Sequence, residues 1–251
     1  MSATSDICCF VSDVHLGRKD PNAARRENDF LEFLNTLDGN VRKLYLLGDI
    51  FDLWIEYPNH VPEGYEAVLE ALKALAGRGC EILFFRGNHD WWTLDYLETE
   101  VGLHIVKDLY RIEEINGMKI CVGHGDTPGC SGFGSWLIFH LFRSKVMIRG
   151  MRMLPRKWIK SFGTGWSSKN YEKHRNYVFE PGNSGIRRFA ESLGSRTRID
   201  HFIFGHYHHA CSLKLECGGT LHILGDWEDG PNYLNLSGMV ISGRGLPNTH
   251  S

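Results

Sequence analysis

The sequence predicts a single α/β domain whose polar chemistry collects at the C-terminal ends of its strands. Three observations carry this reading. Short apolar runs of strand length recur at residues 7–11, 44–47, 82–85, 120–122 and 202–204. Helical spacing fills the intervals between the first of them, through Phe30, Phe33, Leu34 and Leu37, then through Tyr65, Val68, Leu69, Leu72 and Leu75. Each run leads directly into a polar motif: Ser12-Asp13-Val14-His15, Gly48-Asp49-Ile50-Phe51-Asp52, Gly87-Asn88-His89-Asp90, Gly123-His124-Gly125-Asp126 and Gly205-His206-Tyr207-His208.

The remaining elements follow in order. Beyond Gly205 the pattern changes: residues 211–215, 220–224 and 233–241 read as strands joined by glycine-containing turns, which predicts an antiparallel sheet closing the domain. Residues 243–251 are polar and turn-rich and are expected to form a loose tail. The length of 251 residues fits one domain over residues 1–251 with a sizeable core.

Composition excludes several classes. With 42% hydrophobic and 23% charged residues and a net charge of -2, the chain is neither disordered nor broadly basic. No apolar run reaches the ~18 residues a membrane span requires, and the polar start lacks the regions of a signal peptide, so a cytoplasmic location is expected. The seven cysteines are odd in number and show no paired CxxC spacing. Cys8, Cys9, Cys80 and Cys121 lie in apolar, strand-like surroundings and read as reduced, buried thiols.

One segment departs from the average. Residues 127–171 hold eight Lys or Arg and no Asp or Glu, yet remain rich in aromatic and aliphatic side chains. Met147, Met151, Leu154, Trp158 and Phe162 repeat at helical spacing, and Lys145, Arg149, Arg152, Arg156 and Lys160 repeat two residues earlier, about half a helical turn away. The segment can thus present an apolar and a basic face, with a kink or break at Pro155. An amphipathic hairpin packed on the domain gives the same pattern.

The five motifs supply donors for metal. Asp13 and His15 are two residues apart, as are His206 and His208, so in extended backbone each pair points one way and can meet one cation. Asp49, Asn88 and His124 add carboxylate, amide and imidazole donors next to glycines. Such a mixed set without thiolate suits borderline divalent ions: manganese is expected, with iron, zinc and cobalt as alternatives. Taken singly, each motif is an ordinary turn. Seven ligand-type side chains, each placed just after an apolar run, are enough for two ions.

In order and spacing these motifs resemble the calcineurin-like metallophosphoesterases, over nearly the whole stretch from Asp13 to His208. The resemblance implies a four-layer αββα sandwich of two mixed sheets flanked by helices. It also implies one ion on Asp13, His15 and His208, a second on Asn88, His124 and His206, and Asp49 as the bridge. His89 would be the general acid or transition-state stabiliser, and Asp52 the acid that orients it.

The basic segment, taken as an inserted helical lid over residues 130–178, resembles that of the UDP-2,3-diacylglucosamine hydrolases of lipid A synthesis. That likeness implies pyrophosphate cleavage to UMP and the acylated sugar 1-phosphate, with Ser167, Asn170 and Lys173 echoing polar lid residues that contact substrate. It also implies peripheral contact with anionic lipid on the cytoplasmic face of the inner membrane. The best-known branch of that family carries Arg where this chain has His89. Two rival readings are a soluble phosphodiesterase or phosphatase acting on nucleotides, and a module that docks a membrane or nucleic acid and uses metals only to staple the fold. A neighbouring acid-base group such as His89 argues against the module, and no nucleic-acid partner is expected. Trp54, Tyr57, Trp91 and Trp92 flank the motifs, where stacking on a base and core packing are both open.

Overall fold

Strand β1 (Ile7–Val11) shows how the layers arise. Its side chains alternate, so Cys9 and Val11 enter one apolar layer while Cys8 and Phe10 enter another. In the computed structural model, which describes residues 7–37, 39–57, 60–126, 144, 150, 153, 179–238 and 240–244, the chain continues through α1 (Ala23–Thr36), β2 (Val41–Leu46), α2 (Glu66–Gly77), β3 (Glu81–Phe85), a π-helical turn (Leu97–Val101) and β4 (His104–Val106). It goes on through β5 (Tyr110–Ile115), β6 (Met118–Gly123), a short 3-10 turn (Pro181–Asn183), α3 (Gly185–Gly194), β7 (His201–Phe204), β8 (Cys211–Lys214), β9 (Thr220–Ile223), β10 (Tyr233–Ser237) and β11 (Val240–Arg244). The expected lid over 130–178, including Ser167, Asn170 and Lys173, lies outside the described residues but for three scattered positions.

One sheet has the order β11-β10-β1-β2-β3-β4 and the other β5-β6-β7-β9-β8. Helices α1 and α2 cover the first sheet through Phe30, Phe33, Leu34, Val68, Leu72 and their neighbours. Phe10, Tyr45, Ile120 and Ile203 fill the space between the sheets, and Ile186 and Ala190 of α3 pack on the outer face of the second. Three apolar layers thus separate four layers of secondary structure, as the family resemblance implied. Cys8, Cys9, Cys80 and Cys121 are buried.

Topology brings the motifs together. Strands β1, β2 and β3 are parallel to one another, as are β6, β7 and β9, so their C-terminal ends gather at one edge of each sheet. Pairing carries on past the strands: the amides of Asp13 and His15 donate to the carbonyls of Gly48 (3.1 Å) and Asp49 (3.0 Å), and that of Gly205 to His124 (2.8 Å). These bonds lock the motif loops to each other before any side chain is considered.

Three expectations need correction. The strand expected over 233–241 is a hairpin, β10 and β11, turning at Gly238, whose φ of 60° an L side chain rarely adopts. The tail strands also do not form one closing antiparallel sheet. β8 and β9 extend the second sheet, with β9 parallel to β7, whereas β10 crosses to the first sheet and pairs antiparallel with β1. The crossover is anchored by Trp227, wholly buried and edge-on to Phe30 and Phe33. β11 reaches Arg244, so Gly243 and Arg244 belong to a strand rather than the tail, and 245–251 lie outside the described residues.

Trp227→Ala is expected to lower unfolding free energy by about 3–5 kcal/mol, read from urea denaturation of metal-free protein. A pH test comes from His222, 6% exposed on β9, whose ring contacts His201 Nδ1 (3.0 Å) and Ser212 Oγ (2.8 Å). Burial pulls its pKa from 6.5 down to about 3. Below the unfolded value the unfolded chain binds the extra proton, so this contribution to stability is complete above pH 6.5. It declines as pH falls toward 3, by at most ~1.4 kcal/mol per pH unit. His222→Gln should flatten the pH dependence of the denaturation midpoint in that window.

Candidate metal centre

The donors sit on strained backbone. Among the described residues, six non-glycine positions have positive φ, and five of them are Asp13 (53°), His15 (49°), Asp49 (53°), His206 (72°) and His208 (55°). The sixth, Asn116, turns the β5–β6 hairpin together with Gly117. Left-handed backbone costs a residue with a side chain about 1–3 kcal/mol. The extended geometry assumed for Asp13-x-His15 and His206-x-His208 is therefore wrong. The consequence is sharpest for His206 and His208, which part company: His208 groups with Asp13 and His15, and His206 with Asp49 and His124.

All seven side chains nevertheless converge. His15 Nε2 lies 3.3 Å from His208 Nε2 and 4.0 Å from Asp13 Oδ1, and His208 Nε2 lies 3.5 Å from that same oxygen. In the second group His124 Nε2 is 3.5 Å from Asp49 Oδ2 and 3.3 Å from Asn88 Oδ1. Asp49 Oδ2 also lies 4.0 Å from His15 Nε2, so this one oxygen faces both groups. Asn88 is exposed while Asp13, His15, Asp49 and His124 are buried, so the cluster opens to solvent on the Asn88 side.

Backbone amides set the carboxylates. His206 N–H donates to Asp13 Oδ2 (2.8 Å) and His89 N–H to Asp49 Oδ1 (2.9 Å). In both residues one oxygen is committed and the other turns to the imidazoles. Close approach enforces this: a Cβ on Gly205 would lie 2.4 Å from Asp13 Oδ2, and one on Gly87 only 2.0 Å from Asp49 Oδ1.

The imidazoles are oriented from behind. His124 Nδ1 donates to the Leu47 carbonyl (2.8 Å), His208 Nδ1 to Asp226 Oδ2 (3.0 Å), and His15 Nδ1 faces Asp52 Oδ1 at 3.5 Å. Each Nε2 is thereby turned into the cluster, where a neutral ring presents a lone pair. His15 Nε2 and His208 Nε2 face each other at 3.3 Å, and His124 Nε2 faces the Asn88 carbonyl oxygen at the same distance. Asp13 Oδ1 is buried and has no hydrogen-bond partner. Imidazole nitrogens and an amide oxygen crowded around two buried carboxylates call for positive charge between them, and the residues present fit a pair of divalent cations.

Charge responds accordingly. Burial drives the His15 pKa down to about 3, which keeps that ring neutral and able to donate a lone pair. Burial also opposes charge on His124, yet the Asp49 carboxylate overrides it and raises the pKa to about 10. A proton there answers the same demand that a metal ion would. Asp49, despite burial, is held well below the usual carboxylate range by His124 and His89.

A third cluster, His15, Asp52 and His89, has a different character. His89 Nδ1 donates to the main-chain carbonyl of Asp52 (2.8 Å), and the Asp52 carboxylate sits 3.7 Å from that nitrogen and 3.5 Å from His15 Nδ1. His89 Nδ1 carries its proton toward that carbonyl and is not an open metal ligand. The expected orientation of His89 by Asp52 thus runs chiefly through the Asp52 backbone, and its carboxylate is shared with His15. Trp54 is fully buried and donates to Glu56 Oε1 (2.8 Å), so core packing accounts for it.

Sequence reasoning missed Asp90, Asp226 and Glu56. Asp90, fully buried, accepts from the amides of Ile50 (2.8 Å), Phe51 (3.4 Å) and Gly87 (2.7 Å), binding the Asp49 loop to the Asn88 loop. Buried Glu56 accepts from the amides of Leu94 (2.7 Å) and Tyr96 (3.3 Å). Gly225-Asp226 repeats the strand-then-Gly-Asp signature of Gly48-Asp49, which was the available signal. Asp90→Ala should lower stability by about 2–4 kcal/mol through orphaned amides and reduce bound metal, read by denaturation and elemental analysis.

Known proteins resemble this chain along most of its length. A family model described as calcineurin-like phosphoesterase matches residues 8–210. A UDP-2,3-diacylglucosamine hydrolase from Porphyromonas gingivalis is 31% identical over 250 residues, covering 92% of this chain and 94% of that one. Another from Neisseria meningitidis serogroup B is 27% identical over 88% of this chain and 89% of that one. The crystal structure of a dimetal phosphatase from Danio rerio shares the fold, with a TM-score of 0.51 at 14% identity over 96% of each chain. With five motifs on the strand ends of an αββα sandwich and a family model spanning most of its length, this chain belongs to the calcineurin-like phosphoesterases.

Proposed function

We propose that this metal-dependent hydrolase cleaves the pyrophosphate of UDP-2,3-diacylglucosamine, yielding UMP and 2,3-diacylglucosamine 1-phosphate in lipid A biosynthesis. The observation that carries the reading is near full-length similarity to curated hydrolases of that substrate, on a chain whose seven donors converge at one edge of the fold. Asp13, His15 and His208 would hold one ion, Asn88, His124 and His206 the other, and Asp49 both; manganese is the ion we assign. When bound, two such cations polarise a phosphoryl oxygen and make a water acidic enough to attack it.

The chain's own residues do the rest. With Nδ1 donating to the Asp52 carbonyl, His89 would turn Nε2, protonated in the imidazolium, toward the reacting phosphoryl or leaving oxygen. The edge-on ring of His15, with centroids 4.8 Å apart, limits how far His89 can rotate. Substrate recognition is assigned to the inserted segment, with Ser167, Asn170 and Lys173 contacting the substrate, the apolar face receiving acyl chains and the basic face meeting anionic headgroups. No described helix is long and apolar enough to cross a membrane, and peripheral contact at the cytoplasmic face of the inner membrane suffices for this scheme.

His89 itself favours a second reading. Histidine rather than arginine after the motif asparagine is the pattern of the wider superfamily, including phosphodiesterases that act on soluble nucleotides.

Incubating the protein with Mn²⁺ and UDP-2,3-diacylglucosamine, beside a simple aryl phosphodiester, separates the two. UMP release from the lipid substrate is expected, and turnover of the aryl ester alone would leave only the second reading. His15→Ala and His208→Ala should each lower metal stoichiometry, whereas His89→Ala should leave it intact and reduce kcat by ~10²–10⁴-fold.

A further inference from the structure

His208 and His15 reach the site from different sheets, and side chains behind them tie the two loops together. His208 Nδ1 donates to Asp226 Oδ2 at 3.0 Å. The other oxygen of Asp226 accepts the Glu228 amide (3.2 Å), so both carboxylate oxygens are engaged. Arg18 Nη2 donates to Glu228 Oε2 at 3.0 Å, and Arg18 stands three residues after His15 on the loop leaving β1. Arg18 Nε continues to Asp20 Oδ2 (2.6 Å), which also accepts from the wholly buried Arg26 of α1 (2.9 Å). Arg25 donates to the Glu228 carbonyl. The Asp226 side is moored by Trp227, which is locked among Phe30 and Phe33.

The result is an alternating run of charge, Arg26, Asp20, Arg18, Glu228, from the core of α1 to the back of an imidazole. Arg18 and Arg26 are 7% and 0% exposed, which is costly for guanidinium groups unless their partners stay in place. The arrangement therefore resists shifting either loop alone. Its working end is the 3.3 Å approach of His15 Nε2 to His208 Nε2.

We propose that Asp226 is a positioning residue for His208, and that the strap from Asp226 through Glu228 to Arg18 holds the two loops at the spacing one divalent cation requires. The proposal rests on the metal-hydrolase reading above. A carboxylate behind a ligating imidazole fixes the tautomer and raises ring basicity, and its removal typically costs ~10–100-fold in metal affinity. The effect should fall on the ion held by Asp13, His15 and His208 and spare the other, whose imidazole is oriented by the Leu47 carbonyl.

The test is calorimetric titration of Mn²⁺ into the chelator-treated full chain and its Asp226→Asn variant, beside the thermal midpoints of both without metal. The parent is expected to take up two ions. The variant should bind one of them ~10–100-fold more weakly and the other within about twofold of the parent, with an unchanged metal-free midpoint. Glu228→Gln, which keeps the backbone contact to Asp226 and weakens only the Arg18 arm, should show a smaller loss at the same ion. It also serves if Asp226→Asn does not fold. Unchanged affinity for both ions in these variants overturns the proposal, as does equal weakening of both ions with a lowered midpoint. A parent chain that takes up no manganese, and no iron, zinc or cobalt in parallel titrations, overturns the metal-hydrolase reading itself.

Discussion

Two carboxylates that water hardly reaches, Asp13 and Asp49, govern the architecture around them. Each stands just past a central parallel strand, each has one oxygen pinned by a backbone amide, and each turns the other toward imidazole nitrogens. Buried negative charge at this density is tolerable only with compensation by positive charge. The left-handed backbone at five donor positions, the glycines that let loops touch and the proton drawn onto His124 all follow from meeting that demand.

Support for the site is layered by distance. Nearest are the groups that set ring orientation: the Leu47 carbonyl for His124, the Asp52 carbonyl for His89, and Asp226 for His208. Behind them Asp90 and Glu56 collect backbone amides and weld neighbouring loops into one surface. Farther out, Trp227 and the aromatic side chains of α1 hold the crossover that carries Asp226. Precision at the centre therefore depends on ordinary apolar packing well away from it.

Most of the site was legible in the sequence because its donors follow apolar runs, a pattern that survives without knowledge of the fold. The helices were legible for a similar reason: Phe30, Phe33 and Leu34, and Val68, Leu69, Leu72 and Leu75, are the apolar residues that α1 and α2 bury. What escaped depends on non-local geometry. The split of His206 from His208 escaped the spacing rule and came only with the family resemblance, because it follows from left-handed backbone that no spacing reports. β5 alternates poorly, with Arg111, Ile112 and Glu114 exposed, so it lacked a strand signature even though the Asn116-Gly117 turn marks its hairpin. Asp90 and Asp226 look like turn residues until their partners, some forty and eighteen positions away, are seen.

The pairing of β1 with β10 joins the two ends of the described chain. β1 is apolar on both faces and lies between β2 and β10, so during synthesis one of its edges stays open until the far end has left the ribosome. All seven donors precede β10, yet the scaffold that aligns them is incomplete without it. The nascent polypeptide, carrying a bare and sticky edge in the meantime, is the form most in need of chaperone shelter.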